Sequence, residues 1–374
     1  MTKSTASLSP RGRGSGRGLT LFLALTLAFP AAADPLVDEL LPRVVKVMGL
    51  PAPKKLKVEQ VTRERAEVIL RGEIDAKANE RLGEALLAIG LLPPGTKLGV
   101  LAPDFNRQNV SGFYDLDTHT LYVLADQPAE TRMPIMAHEL AHAVQDANLD
   151  LAAALKARNG SEDATLAFIA MLEGQAQATA ALVMEQWLAD QHIKVDGLSD
   201  SLSDTAAKSA AEAAEQAPAP WLGMQLRFPY VAGRELIKKV ATADDPIARG
   251  LLRSPPASTA QVMDLSRPAP LSGELKLSKL IKGSKQTVST SLGRAAVELI
   301  SSGEGWRGDR LEAVRVGKEL AVVWIVVFDT EAQAIALERA LTPTLSRRER
   351  ETVVVSTGAA NVEPIWRAAF RVFR

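Results

Sequence analysis

The sequence predicts a mixed α+β fold, in which a small sheet leads into two long helices and a separate, smaller α+β unit follows. Three observations predict it. Aromatic and β-branched residues flank a polar turn in "VSGFYDLDTHTLYVLA" at 110–125, which reads as a hairpin turning at Asp115–His119. Two helical runs come directly after it, from about Pro134 to Leu149 and from about Ser161 to Gln191. Beyond the Pro-rich "SRPAPLSG" at 266–273, shorter helix and strand patterns alternate.

In chain order, residues 34–92 read as a helical N-terminal region, "LVDELLPRVVKVMGL" and then "ERLGEALLAIGLL", punctuated by Pro51, Pro53, Pro93 and Pro94. A central unit spans 93–265. It opens on a predicted strand, "KLGVLA" at 97–102, and contains the hairpin and both long helices. The second helix, "ATLAFIAMLEGQAQATAALVM", is apolar on nearly every side, which predicts burial. The Ala-rich stretch 202–220 reads as a frayed helix or mobile connection, and 221–265 as a mixed region. The C-terminal α+β unit, 266–374, runs through "TSLGRAAVELISS", "LEAVRV", "LAVVWIVVF", "DTEAQAIALERAL" and "TVVVST". Its basic "PTLSRRERE" at 343–351 reads as an exposed loop.

Composition narrows the chemistry. Lys+Arg and Asp+Glu both number 44, so nothing suggests an electrostatic grip on nucleic acid or on an anionic membrane. The chain has no cysteine, hence no disulfide and no thiol nucleophile, and any metal must be held by His, Asp or Glu. Lys3, Arg11, Arg13 and Arg17 precede the apolar run at 19–29, and Ala31 and Ala33 fit a small-x-small cleavage rule. Residues 1–33 therefore read as a signal peptide cut after Ala33, too short in its apolar part to span a bilayer. No later segment reads as apolar enough to cross a membrane. The mature chain is expected to be exported, periplasmic or secreted, without stable membrane insertion.

The chemistry is carried by "MAHELAHAVQD" at 136–146. Positions i and i+4 of a helix share a face, so His138 and His142 can present two imidazole nitrogens to one ion. Glu139 is rotated by about 100° from His138, within reach of a water on that ion and outside the ligand set. This is the spacing of zinc hydrolysis, with Glu139 as general base. Chance is the bland alternative; the strands directly before the helix argue against it.

A catalytic zinc site needs a third protein ligand. A metzincin pattern would put Gly at 145 and a ligand at 148, where the chain has Gln145 and Asn148. Asp146 lies a full turn past His142, better placed to accept a histidine N–H than to ligate. Glu173 is the stronger candidate. It is the one charged residue on the stripe Ile169, Glu173, Ala176, Ala180, Val183, Trp187, and a buried carboxylate demands a cationic partner. A salt bridge to an Arg or Lys is the competing explanation. Gly174 beside it allows close backbone approach.

With "HELAH" followed by "LEGQA" on the next long helix, the chain resembles the gluzincin branch of the zinc metallopeptidases, of which thermolysin is the best-known member. "GFYDLDTHTLYV", "AHELAHAVQDANLDL", "MLEGQAQA", "FPYVAG" and "PPASTAQVM" also follow the order seen in a group of bacterial exported metallopeptidase-like proteins. That group's tail is similar to "GEGWRGDRLEAVR…WIVVFDTEAQA", and the resemblance covers roughly residues 40–340. It implies a zincin-like catalytic domain at 93–265, a small sheet whose edge strand binds extended peptide above the active-site helix and a glutamate-bearing helix. It implies one zinc ion per chain held by His138, His142 and Glu173, with Glu139 as base and a peptide or protein as substrate. The chain departs from the group at "STAQVMD", where Ala260 and Asp264 stand in place of Glu and His.

Lesser candidates complete the reading. Tyr230 and Tyr114 can reach a cleft as oxyanion donors, but each reads better as packing. His119 is expected exposed at a turn, His192 as a cation past a helix C-terminus, and "GWRGDR" as a structural corner of the tail. Two rival functions remain: a non-catalytic binding or assembly protein with a structural metal site, and a zinc amidase acting on cell-wall peptides. Retention of Glu139 speaks against the first, because a structural site needs no base.

Overall fold

The computed structural model describes residues 34–73, 76–102, 112–125, 129–271, 276–345 and 352–358. The segment expected to be a signal peptide lies outside them. Among the described residues the fold is α+β, with one three-stranded and one four-stranded sheet.

Helix α1 (Pro35–Met48) starts where Asp34 accepts the Leu36 N–H and ends at Gly49 in the left-handed conformation. Asp34 also pairs with Arg132, which pins the helix start to the helix that carries the histidines. The region 34–92 is not helical throughout. Strand β1 (Lys57–Val61) interrupts it before α2 (Arg63–Glu73) and α3 (Ala76–Ala88). Its five residues are short and only weakly patterned, and they become a strand by pairing parallel to β3 (Thr120–Leu124), a partner far along the chain. The expected strand at 97–102 is also corrected: residues 98–102 are helical. There Leu98 packs against Gly83 of α3, and a helical turn turns both Leu98 and Ala102 toward apolar neighbours.

The hairpin is found as expected. Strand β2 (Gly112–Asp115) pairs antiparallel with β3, giving the order β1-β3-β2 with β2 at an edge. Alternation then splits the strands between two faces. Phe113 and Tyr122 stack 4.9 Å apart and face α2, whereas Tyr114, Leu121 and Val123 enter the main core.

That core is built by α1, α4 (Ala129–Leu149), α5 (Glu162–Asp190) and α7 (Pro220–Val240). Helix α4 begins five residues before Pro134 and carries that proline inside it. Helix α5 is capped by Ser161, whose side chain accepts the Ala164 N–H. By length and composition α5 is apolar enough to cross a membrane, contrary to the sequence reading, and 89% of its most apolar window is buried within the fold. The Ala-rich stretch is a regular helix, α6 (Leu198–Glu215), held on α7 by ion pairs of Arg234 with Asp204 and Lys238 with Asp200.

The tail sheet runs β4 (Lys285–Thr290), β5 (Trp306–Val316), β6 (Glu319–Phe328) and β7 (Thr352–Gly358), with β7 parallel to β6 after helix α8 (Glu331–Leu345). Strand β4 was not expected. Helix α8 extends into the expected loop as far as Leu345, and 346–351 lie outside the described residues. The tail core is shared: Trp324, Phe328 and Leu311 form one cluster with Leu86 of α3, with Ile89 just past that helix and with Trp221 of α7.

Candidate metal centre

Helical spacing brings His138 and His142 of α4 together as expected. Their Nε2 atoms lie 3.1 Å apart, and the rings meet edge to face with centroids 4.8 Å apart. Glu173 of α5 completes the group, with Oε2 3.1 Å from His138 Nε2 and Oε1 3.5 Å from His142 Nε2. One ligand atom from each of the three lies within 4.8 Å of the other two, so the group could hold a metal ion. Two imidazoles and one carboxylate form a donor set suited to a divalent transition metal. The buried glutamate thus answers to histidines, and not to an Arg or Lys.

Electrostatics follow from burial. Burial penalises the charge on Glu173, but His142 and His138 outweigh it and hold the carboxyl far below the ordinary range. Burial likewise opposes a proton on His142, yet Glu173 and Glu139 overcome it and push the ring up to about 9. The two acids therefore make the site cation-seeking, and a metal or protons can answer that demand.

Glu139 sits beside the group without joining it. Burial raises its pKa, the two histidines lower it, Glu173 raises it, and the Tyr114 backbone N–H on its carboxyl lowers it; the net shift is upward. That amide belongs to the edge strand β2, so the strand and the α4 carboxylate are directly linked. Gly112 stands at the same edge, where a β-carbon would come 3.6 Å from Glu139 Cγ.

Tyr230, read from sequence as packing, belongs to the site. Its ring stacks on His138 at 6.4 Å, and the charge on Glu173, followed by burial, pushes its phenol well above its ordinary value. Nothing in "FPYVAG" alone marks this, because α7 reaches the centre only by crossing α5. Tyr114 serves the site through its backbone, while its hydroxyl donates to Asp146 Oδ2 at 3.0 Å.

Asp146 does accept from a histidine, but the partner is His119, at 3.0 Å, and neither ring of the ligand pair. Asp146 Oδ1 also accepts the Leu151 N–H, at 3.0 Å. His142 Nδ1 instead faces Gln145 Oε1 at 2.9 Å, a partner the sequence reading passed over. His119 is exposed as expected, and His192 is exposed just past the end of α5. In "GWRGDR", Asp309 is a structural acceptor for the Leu292 and Gly293 N–H groups and for Trp324 Nε1. Ala260 packs into the tail core, and exposed Asp264 bonds Ser266.

Residues 272–374 match a family described as a domain of unknown function (DUF8575). No curated protein and no solved structure matches the chain. The family match covers the tail and lies wholly outside the histidine–glutamate group, whose chemistry is therefore read from its own atoms.

Proposed function

We propose that this chain is an exported, zinc-dependent metallopeptidase of the gluzincin type, with a zincin-like catalytic region and one zinc per chain. The convergence of His138, His142 and Glu173, with Glu139 beside them and outside the ligand set, carries the reading. A structural metal site has no use for that fourth residue.

His138, His142 and Glu173 would hold the ion. Bound there, it supplies Lewis acidity that polarises a substrate carbonyl and makes water acidic near neutral pH. Glu139, beside the ligands and outside their set, would take the proton from the attacking water and return it to the leaving amine. Tyr230, whose ring lies over His138, would offer its O–H to the oxyanion that develops on the carbonyl. In this reading the edge strand β2 aligns an extended peptide through backbone groups other than the Tyr114 N–H, which rests on Glu139.

The test is metal content of the purified mature protein beside Glu173→Ala and Glu139→Gln, with cleavage of casein and of cell-wall stem peptides in parallel. The expected result is about one zinc per wild-type chain, lost in Glu173→Ala, and retained without cleavage in Glu139→Gln. Wild type that stays metal-free in added zinc ends the reading. Cleavage of stem peptides alone moves the assignment to a cell-wall amidase.

A further inference from the structure

Behind His142 lies a chain of buried amides that connects both ligand-bearing helices to the loop after α7. His142 Nδ1 is 2.9 Å from Gln145 Oε1. Gln145 Nε2 donates to the Leu172 carbonyl at 3.2 Å and to Gln175 Oε1 at 3.1 Å. Gln175 Nε2 donates to the Ala248 carbonyl at 3.1 Å. Gln145 and Gln175 are both 0% exposed, so bulk solvent does not reach these bonds.

The direction of every proton in this chain follows from its far end. A backbone carbonyl only accepts, so the Ala248 oxygen requires the NH2 side of Gln175. Gln175 Oε1 then faces Gln145, and together with the Leu172 carbonyl it presents two acceptors to the same atom. That atom must be the Gln145 NH2. Turning Gln145 over would set its oxygen against both acceptors inside a buried site, which is costly. Gln145 Oε1 is therefore left for His142, and only an N–H on Nδ1 satisfies it. The Nε2 lone pair of His142 is consequently the one available to a metal.

We propose that Gln145 and Gln175 are positioning residues forming a polarised relay that fixes the Nδ1–H tautomer of His142 and aims its Nε2 at the metal. This rests on the reading of His138, His142 and Glu173 as a metal centre. The relay is neutral along its length, so Glu173 alone among the ligands offsets the ion's charge. Its anchor is constrained: Ala248 sits at φ +54, a left-handed conformation that L side chains rarely adopt, and is 5% exposed. The loop is braced there by Asp245, which accepts from the Arg249 backbone N–H at 3.0 Å and from its Nε at 2.9 Å. The loop backbone thus sets the orientation of a ligand on another helix.

Zinc affinity is the direct readout, measured by competition with a chromophoric chelator on wild type, Gln145→Leu and Gln175→Leu. Thermal midpoints of the metal-free proteins are measured alongside. Loss of the partner of a ligating histidine weakens metal binding by about 10- to 100-fold, and Gln145→Leu is expected in that range. Gln175→Leu, which leaves His142 untouched, is expected to weaken zinc in the same direction by less. A purely structural role would lower the midpoints and leave zinc affinity unchanged. Nitrogen NMR of zinc-loaded wild type with labelled histidine needs no variant, and should show His142 protonated at Nδ1 and ligating through Nε2. Ligation through Nδ1, or variants that bind zinc as tightly as wild type, overturns the relay while leaving the metal centre standing. Wild type that binds no zinc overturns both.

Discussion

Gly174 and Gly233 meet backbone to backbone where α5 crosses α7. A β-carbon on Gly174 would overlap the carbonyl oxygen of Gly233, and one on Gly233 would overlap that of Ala170. Gly174 adjoins Glu173, and Gly233 lies one turn beyond Tyr230, so this crossing sets how near the phenol comes to the ligand set. Gly233→Ala must push the helices apart. It is expected to destabilise by about 1–3 kcal/mol, as overpacked cores do, and to weaken metal binding with it. Thermal unfolding and zinc titration on the same variant check this; full zinc affinity would mean that the centre tolerates a wider crossing.

Tyr230→Phe keeps the ring over His138 and removes only the hydroxyl. Metal content is expected to stay at the wild-type level, while kcat falls by roughly 100- to 1000-fold, as on loss of one oxyanion donor. Steady-state kinetics of the zinc-loaded variant decides it. An unchanged kcat would return Tyr230 to packing.

Asp146 gathers the Tyr114 hydroxyl, the His119 ring and the Leu151 N–H on one carboxylate, and so ties β2 and its turn to α4. Tyr114→Phe removes one of these bonds and is expected to cost about 0.5–1.5 kcal/mol. Asp146→Ala removes all of them and leaves buried donors unpaired, so its loss should be larger. Because the Tyr114 amide rests on Glu139, Asp146→Ala should also lower kcat without releasing metal. Denaturant unfolding, kinetics and metal analysis separate the two effects.

A pH effect on stability is expected far from the centre. Asp163, at the start of α5, accepts the Thr259 N–H at 2.8 Å and the Thr259 hydroxyl at 2.6 Å. Burial pushes its carboxyl up to about 7, against the pull of Thr259 and with the charge of Asp309 adding to the rise. The folded state therefore holds this proton more tightly than the unfolded chain. Its contribution is fully present below about pH 4 and is lost as pH rises through about 7, on the order of a few kcal/mol. Asp163→Asn keeps Oδ1 as acceptor and never ionises, so its urea midpoint should not show this fall. Parallel midpoints from pH 4 to 8 test it; identical slopes in the two proteins would remove Asp163 as the cause.

The parts of the site legible in sequence are those set by the backbone period. Four-residue spacing puts His138 and His142 on one face in any α-helix, and a lone acid on an apolar stripe marks Glu173 as a group in need of a cation. The hairpin at 112–124 was legible for the same reason, since alternation and a polar turn are local. Strand β1 was not, because its identity comes from pairing with a strand some sixty residues later. Nor was the reversal at 98–102, where contact with Gly83 decides which faces are buried. Tyr230, the partners of Asp146 and the Gln145–Gln175 chain carry no periodic signal at all. Their roles arise when helices cross, because a buried hydrogen bond is satisfied by whichever group the packing brings within about 3 Å. By itself the sequence determined which residues offer metal-binding chemistry and on which helix faces they lie. Tertiary structure decided which of them meet, and which neighbour holds each one's proton, because those contacts join segments whose separation along the chain leaves no local trace.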